Sequence, residues 1–331
     1  MCQSGIVFFC QVGFVFHNQS RYNKKMRRDL YPSYPRNLSI AEFSERVNQA
    51  LGKLEVCSIC PLNCGVNRLE DKKGVCLTGR YAQISSFGPH HGEEKPLSGW
   101  RGSGTIFFSR CNLHCVFCQN ADISQEGFGK EVTAEELAKI MLELQRMGCH
   151  NINLVSPSHV VPQILEAIFV ASQRGLNLPI VYNCGGYDSV ETLKLLDGVI
   201  DIYMPDMKYA DEMIAKKYSR VPNYPKINQK AVLEMYRQVG DLVMEENGIA
   251  MKGLLVRHLI MPNGMAGTEK VIQFLAENIS RNIYLNLMDQ YWPAYQANRF
   301  PEINRRINRS EFERAIDIAR KMDLQRYSTL L

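Results

Sequence analysis

The chain has 331 residues, 45% of them hydrophobic and 22% charged, with a net charge of +5. That is the make-up of a globular protein able to bury a substantial core. Basic residues are interleaved with acids, as in Glu70-Asp71-Lys72-Lys73 and Asp211-Glu212 before Lys216-Lys217, so no basic stripe announces nucleic acid.

The first stretch, Gly5 to Phe16, is mostly apolar but too short to span a bilayer. It lacks the basic start and the small-residue cleavage site of a signal peptide. An extension ahead of a start near Met26 and a weak anchor both fit it, and no membrane association is assigned. Residues 20–38 read as an exposed lead-in, so 1–38 is expected to be a poorly ordered extension. Ser39 with Glu42 forms a capping box that opens a helix running to about Leu54.

Eleven cysteines is the unusual number, and seven of them fall into two tight groups. The first is Cys57-x2-Cys60-Pro61-x2-Cys64 followed by Cys76. Such clustering without a convincing secretion signal points to metal binding in a reducing compartment, hence the cytoplasm. Four thiolates complete a closed shell, so a structural zinc and a second iron–sulfur cluster both fit. Cys149 and Cys184, in apolar surroundings, read as inert buried thiols. Residues 81–102 are punctuated by Gly and Pro and carry His90, His91, Glu93 and Glu94. They read as a solvated loop or lid, with a metal site as the alternative. Residues 39–102 therefore make a helix, a cysteine module and a connector.

From Gly104 onward apolar runs alternate with helical patterns, the signature of βαβ units and a parallel sheet. Strands are predicted at Thr105–Ser109, Asn151–Val155, Pro179–Tyr182, Val199–Met204, Gly253–Ile260 and Ile283–Leu287. The helices between them begin at Thr133 (capped with Glu136), Val160, the Asp188/Glu191 turn, Asp211, Gln229 and Thr268. A last helix is capped by Ser310 and Glu313, and the tail from Arg326 supplies an edge strand. Six strand–helix repeats fall short of the eight of a closed barrel. Residues 103–331 are therefore read as an open, partial (β/α)6 TIM-like barrel of the α/β class.

In such barrels chemistry gathers at the C-terminal strand ends. The first of these ends is Cys111-x3-Cys115-x2-Cys118, three thiols that suit one compact inorganic cluster with an open iron. The others carry Ser156 and Ser158, Asn183, Asp206 and Lys208, Arg257 with His258, and Asp289. Asp206 suits an ammonium or hydroxyl, Lys208 and Arg257 a carboxylate, and Ser158 and Asn183 neutral hydrogen bonds.

The segment Gly102–Asn120, with Phe117 as the aromatic before the third cysteine, resembles the cluster loop of the radical S-adenosylmethionine (SAM) superfamily. It is most similar to the pyruvate formate-lyase activating enzyme branch, and the 57–76 module matches less characterised members of that branch. The resemblance implies that Cys111, Cys115 and Cys118 ligate a [4Fe–4S] cluster whose open iron chelates SAM. It places Phe117 against the adenine, Asp206 and Lys208 in a D-x-K element, and Arg257 as a strand-five arginine. Where the family commonly has a Gly-Gly-Glu motif, this chain has Ser156-Pro157-Ser158. The implied activity is reductive cleavage of SAM to a 5′-deoxyadenosyl radical that abstracts hydrogen, fed by a flavodoxin or ferredoxin. The implied substrate is a glycine in a glycyl radical enzyme, with a small molecule or peptide as the alternative. A non-catalytic iron–sulfur redox protein would explain the cysteines but leaves the polar strand ends without a purpose.

Overall fold

The computed structural model describes residues 32–324 and 326–329; the apolar stretch Gly5–Phe16 and most of the lead-in lie outside them. In chain order the main elements are α1 (Ile40–Gly52), β1 (Ala82–His90), α2 (Lys95–Ser98), β2 (Ser103–Phe108) and β3 (Lys130–Val132). Next come α3 (Ala134–Arg146), β4 (Ile152–Val155), α4 (Val161–Gln173), β5 (Ile180–Cys184), α5 (Val190–Leu193) and β6 (Ile202–Pro205). The remainder is α6 (Glu212–Ser219), α7 (Tyr224–Val239), β7 (Val243–Met244), β8 (Ala250–Leu259), α8 (Thr268–Asn278), β9 (Tyr284–Met288), α9 (Arg309–Lys321) and β10 (Arg326–Thr329).

One sheet runs in the order β10-β9-β8-β6-β5-β4-β2-β1-β3, with β7 paired to β8. The pairs from β2 through β9 are parallel, as alternating strands and helices require, and β10 adds a further parallel strand at the edge. The sheet stays open, with β10 and β3 as its two ends. This is the partial barrel read from the pattern, extended by the tail strand.

Because strand side chains alternate, the central strands β5, β6 and β8 feed two cores. The larger core lies beneath the helices and includes Leu154, Tyr182, Tyr203, Leu254 and Leu285 with Met141, Ile164, Val232 and Ile272. A smaller one holds Val181, Ile202, Met204 and Leu255 together with Leu97 of α2. The capping boxes at Ser39/Glu42 and Thr133/Glu136 both form, each with the serine or threonine accepting from the glutamate amide.

Five local expectations change. The end of the lead-in is not exposed: Tyr34 is buried in the larger core and the Ser33 amide donates to Asp201 at 2.8 Å. The connector is not a solvated loop: its first half is β1, antiparallel to β2 with Phe87 opposite Ile106 and His90 opposite Ser103. Its second half is α2, which packs fully buried Leu97 in the smaller core while Asn151, at the entrance to β4, donates to the Leu97 carbonyl. Helix α7 begins at Tyr224 rather than Gln229, because Pro225 fits a first helical turn. Helix α9 is capped by Asn308 with Glu311, two residues before the predicted pair. Asp188 caps nothing; it is buried and accepts from the Tyr182 hydroxyl at 2.8 Å.

Candidate active site

Strand β2 delivers the chain to Ser109, whose amide donates to Gln83 of β1. Arg110 then turns in the left-handed region, φ 70°, and its guanidinium donates to the Gln125 carbonyl at 2.8 Å. The loop that follows is clamped from several elements. The amides of His114 and Val116 donate to the Ser219 and Tyr218 carbonyls at the end of α6, and Val116 accepts from the Gln296 amide. Asn112 is buried and donates to the Tyr187 carbonyl at 2.7 Å, after β5. A π-helical turn at Asp122–Glu126 closes the loop's far side.

The three thiols sit in this clamp. Cys115 is buried with its Sγ 3.0 Å from Ser219 Oγ, Cys118 Sγ is 3.1 Å from Ser124 Oγ, and Cys111 Sγ receives the Leu113 amide at 3.4 Å. Burial pushes the Cys111 thiol up to about 12 and the Cys115 thiol up to about 11, with the Lys208 ammonium opposing both rises. Three soft sulfur donors on one buried loop, close enough to influence one another and backed by a lysine, fit a cysteine-ligated iron–sulfur cluster.

Lys208 ties the loop to the other strand ends. Its Nζ lies 2.5 Å from Asp206 Oδ2, and Asp206 Oδ1 accepts from Arg257 Nε at 2.8 Å across the β6–β8 junction. Arg257 Nη2 donates to Asn183 Oδ1 at 2.8 Å. Burial works against the charge of Asp206, but Arg257 and Lys208 hold its carboxyl below the usual carboxylate range. Gly186, at φ 71°, lets the loop after β5 run against the Asp206 carbonyl, where any side chain would collide.

Four of the predicted residues, Asn183, Asp206, Lys208 and Arg257, therefore form one connected group beside the thiols. The remaining three sit otherwise. Ser156 takes a left-handed turn at φ 61° and its amide donates to Asn183. Ser158 is buried with its hydroxyl toward Tyr182 and Asp188. The Phe117 ring is buried between Tyr291, 5.6 Å away centre to centre, and Tyr209, 6.5 Å away.

Two acids that the sequence reading placed in a solvated loop, a lid or a metal site join this group from the connector. Glu94 is buried; its carboxylate accepts from Asn286 Nδ2 of β9 at 2.9 Å and lies 3.9 Å from Arg257. Glu93 stands beside Glu94 and Asn153 of β4. Burial raises its carboxyl to about 7, with Arg257 pulling it down and Glu94 pushing it further up. A column of charge thus runs from the cysteine loop through Lys208, Asp206 and Arg257 to Glu94. The signal available in the sequence was an acid pair just before a proline-containing turn, Glu93-Glu94-Lys95-Pro96. His90 and His91 remain exposed.

The first cysteine group is not a member of that column, though Leu62 within it packs against the cluster holding Leu113, Cys115 and Phe117. Cys57, Cys60 and Cys76 are buried and Cys64 is half-buried, with a side chain at Gly74 excluded by the Cys64 sulfur. All nine cysteines among the described residues are free thiols. Among the described residues no three His, Cys, Asp or Glu side chains converge as a single metal ion would demand. A cavity of about 700 Å³ between the 260–270 segment and α9, lined by Asn263, Lys270, Arg305 and Glu311, includes none of the site residues. Among these residues no helix is long and apolar enough to cross a membrane.

The family model for the radical SAM superfamily matches residues 105–244, the span from β2 to β7. The chain is 36% identical over 276 residues to the uncharacterized protein MJ0674 of Methanocaldococcus jannaschii, covering 81% of this chain and 75% of that one. It is 26% identical over 232 residues to the pyruvate formate-lyase-activating enzyme of Clostridium pasteurianum, covering 67% of this chain and 88% of that one. Among solved structures it resembles the FeFe-hydrogenase maturase HydG from Carboxydothermus hydrogenoformans, at 12% identity and a TM-score of 0.47, over 94% of this chain and 69% of that one. The chain belongs to the radical SAM superfamily, whose members are enzymes that use a [4Fe–4S] cluster and S-adenosylmethionine.

Proposed function

We propose that Cys111, Cys115 and Cys118 hold the cluster and that Asn183, Asp206, Lys208 and Arg257 receive the polar groups of SAM, with Ser156, Ser158 and Phe117 completing the lining. The observation that carries this reading is the junction at Lys208, which acts on the Cys111 and Cys115 thiols and is paired with Asp206. When bound, the cluster and SAM together supply a 5′-deoxyadenosyl radical able to take a hydrogen atom from a substrate.

The residues of this chain do the rest. Asp206 keeps two buried cations, Lys208 and Arg257, apart and charged, so both stay available for a carboxylate. Asn183 fixes one arm of Arg257, and Glu94 approaches the other from below. Tyr187, Tyr209, Tyr224 and Tyr291, all buried, pack around Leu113, Cys115 and Phe117 and keep water from the loop. Exclusion of water protects a reactive primary radical.

The acceptor of that chemistry is read as a glycine in a glycyl radical enzyme, on the strength of the similarity to the Clostridium pasteurianum activating enzyme. Electrons would come from a flavodoxin- or ferredoxin-like donor in the reducing cytoplasm, where nine free thiols are at home. A small molecule or peptide is the second reading, favoured by the closed polar column inside the barrel. The test is anaerobic incubation of reconstituted protein with dithionite and SAM. Release of 5′-deoxyadenosine, lost in the Cys111/Cys115/Cys118 triple alanine variant, is the expected result. Its persistence in that variant defeats the assignment.

A further inference from the structure

Arg68 is the most deeply buried cation in the cysteine-rich part of the molecule, with only 1% of its surface exposed. It lies on a short 3-10 turn, Arg68–Glu70, between the third and fourth cysteines of the first group. Its Nε donates to the Gly79 carbonyl at 3.0 Å and its Nη1 to the His159 carbonyl at 2.8 Å. The same Nη1 is 3.9 Å from Cys57 Sγ, and buried Nη2 has no hydrogen-bond partner. Among the described residues no carboxylate pairs with it.

That arrangement is costly as it stands. An isolated charge removed from water is strongly unfavourable, and a guanidinium cannot shed its proton to escape. Carbonyl dipoles satisfy some of its N–H groups but do not neutralise it. Beside those carbonyls its nearest recorded neighbour is a sulfur, Cys57 Sγ. Cys57, whose Sγ lies 3.9 Å from Arg68, is buried with Cys60 and Cys76, Cys64 is half-buried, and the four sulfurs are close enough to act on one another. Thiols become thiolates on ligating a metal and release their protons, so a four-thiolate centre carries net negative charge.

We propose that Cys57, Cys60, Cys64 and Cys76 bind a metal as an anionic four-thiolate centre and that Arg68 is its internal counter-ion. This deepens the sequence-level expectation of a second metal site by naming the group that balances its charge. Arg68 also fixes where that centre sits. The His159 carbonyl it grips follows β4, and the His159 ring, buried and held neutral with its pKa lowered to about 3, donates from Nε2 to the Ser109 carbonyl. Ser109 is two residues ahead of Cys111. The module and the SAM-site loop are thus joined through one arginine and one histidine.

The four sulfurs do not converge as tightly as a single zinc ion demands, which favours the larger iron–sulfur cluster, and the test separates the two. The full chain carrying Cys111→Ala, Cys115→Ala and Cys118→Ala, which removes the other centre, is purified anaerobically and assayed for zinc, iron and acid-labile sulfide. Stoichiometric zinc, or iron with matching sulfide, is expected, and it should vanish when Cys57, Cys60, Cys64 and Cys76 are also changed to serine. No bound metal in the triple variant overturns the proposal while leaving the SAM reading intact. In the same background Arg68→Met should speed metal loss to a chelator by about 10–100-fold, the usual penalty for losing an outer-shell partner. Arg68→Lys, which keeps the charge, should recover much of that. If Arg68→Met fails to fold, Arg68→Lys against Arg68→Gln gives the same comparison. Equal retention of metal by charged and neutral variants overturns the counter-ion role.

Discussion

The two cysteine groups of this chain use the same donor atom in opposite settings. Cys111, Cys115 and Cys118 sit at the end of a parallel strand, and a ladder of paired charges, Lys208–Asp206–Arg257–Glu94, descends from them. Of Cys57, Cys60, Cys64 and Cys76, Cys57 lies 3.9 Å from one buried cation, Arg68, which has no carboxylate partner among the described residues. Alternating charges can meet a ligand that carries both an amine and a carboxylate; a lone positive charge meets only a centre of fixed negative charge. Polar surroundings, more than cysteine count, distinguish a site built for turnover from one built to hold.

The sharpest way to break this comparison is to remove one thiol from each group. Cys115→Ala should reduce 5′-deoxyadenosine formation to background while leaving the metal content of the 57–76 module unchanged. Loss of metal from both groups would show that they are one unit. The next largest effect is expected from Asp206→Asn, which leaves Lys208 and Arg257 buried without their shared anion. A cost of about 3–5 kcal/mol in denaturant stability is the typical result of such an uncompensated pair. A loss below about 1 kcal/mol would mean the pair is solvated.

Glu93 offers a subtler test. Its carboxyl is raised to about 7 by burial, so the native state holds a proton that the unfolded chain has released above about pH 4.3. Stability from this group is therefore full below that pH and declines as pH rises through 7. Glu93→Gln should flatten that part of the stability–pH curve; an unchanged slope would mean that the Glu93 carboxyl is solvated and not held by burial. The smallest effects belong to the helix caps. Ser39→Ala, on the helix leading into the module, and Thr133→Ala, on the first barrel helix, should each cost about 1 kcal/mol in thermal unfolding. Similar losses would show that the two regions differ in chemistry and not in how firmly their helices are begun.

Much of the barrel was legible because its signals are local. Strand-length apolar runs, the Thr133/Glu136 box and the spacing of Cys111, Cys115 and Cys118 each lie within a dozen residues. Asp206, Lys208, Arg257 and Asn183 could be found by reading only strand ends, since topology brings those ends together. Glu94 escaped because its meaning is non-local: its partner Asn286 is 192 positions away. Gly, Pro and an acid pair in series look like solvent-facing chain, and only the closing of β9 over α2 makes them interior. The cap of α9 was misplaced for a smaller reason, since Asn308-x-x-Glu311 and Ser310-x-x-Glu313 overlap and both satisfy the pattern.

The buried turn α2, with Leu97 in the inner core and Glu94 reaching Asn286, sets an order on biosynthesis. On a growing chain the stopper is made long before the vessel it closes, and its carboxylate has no amide to meet until β9 leaves the ribosome. Contacts between such distant segments form late, after their loop-closure entropy has been met. A nascent or truncated chain ending before β9 would lack Tyr291 and Gln296 as well as Asn286, leaving the cysteine loop half-clamped over a floor still open to water, so incorporation of the cluster is best timed to the finished polypeptide.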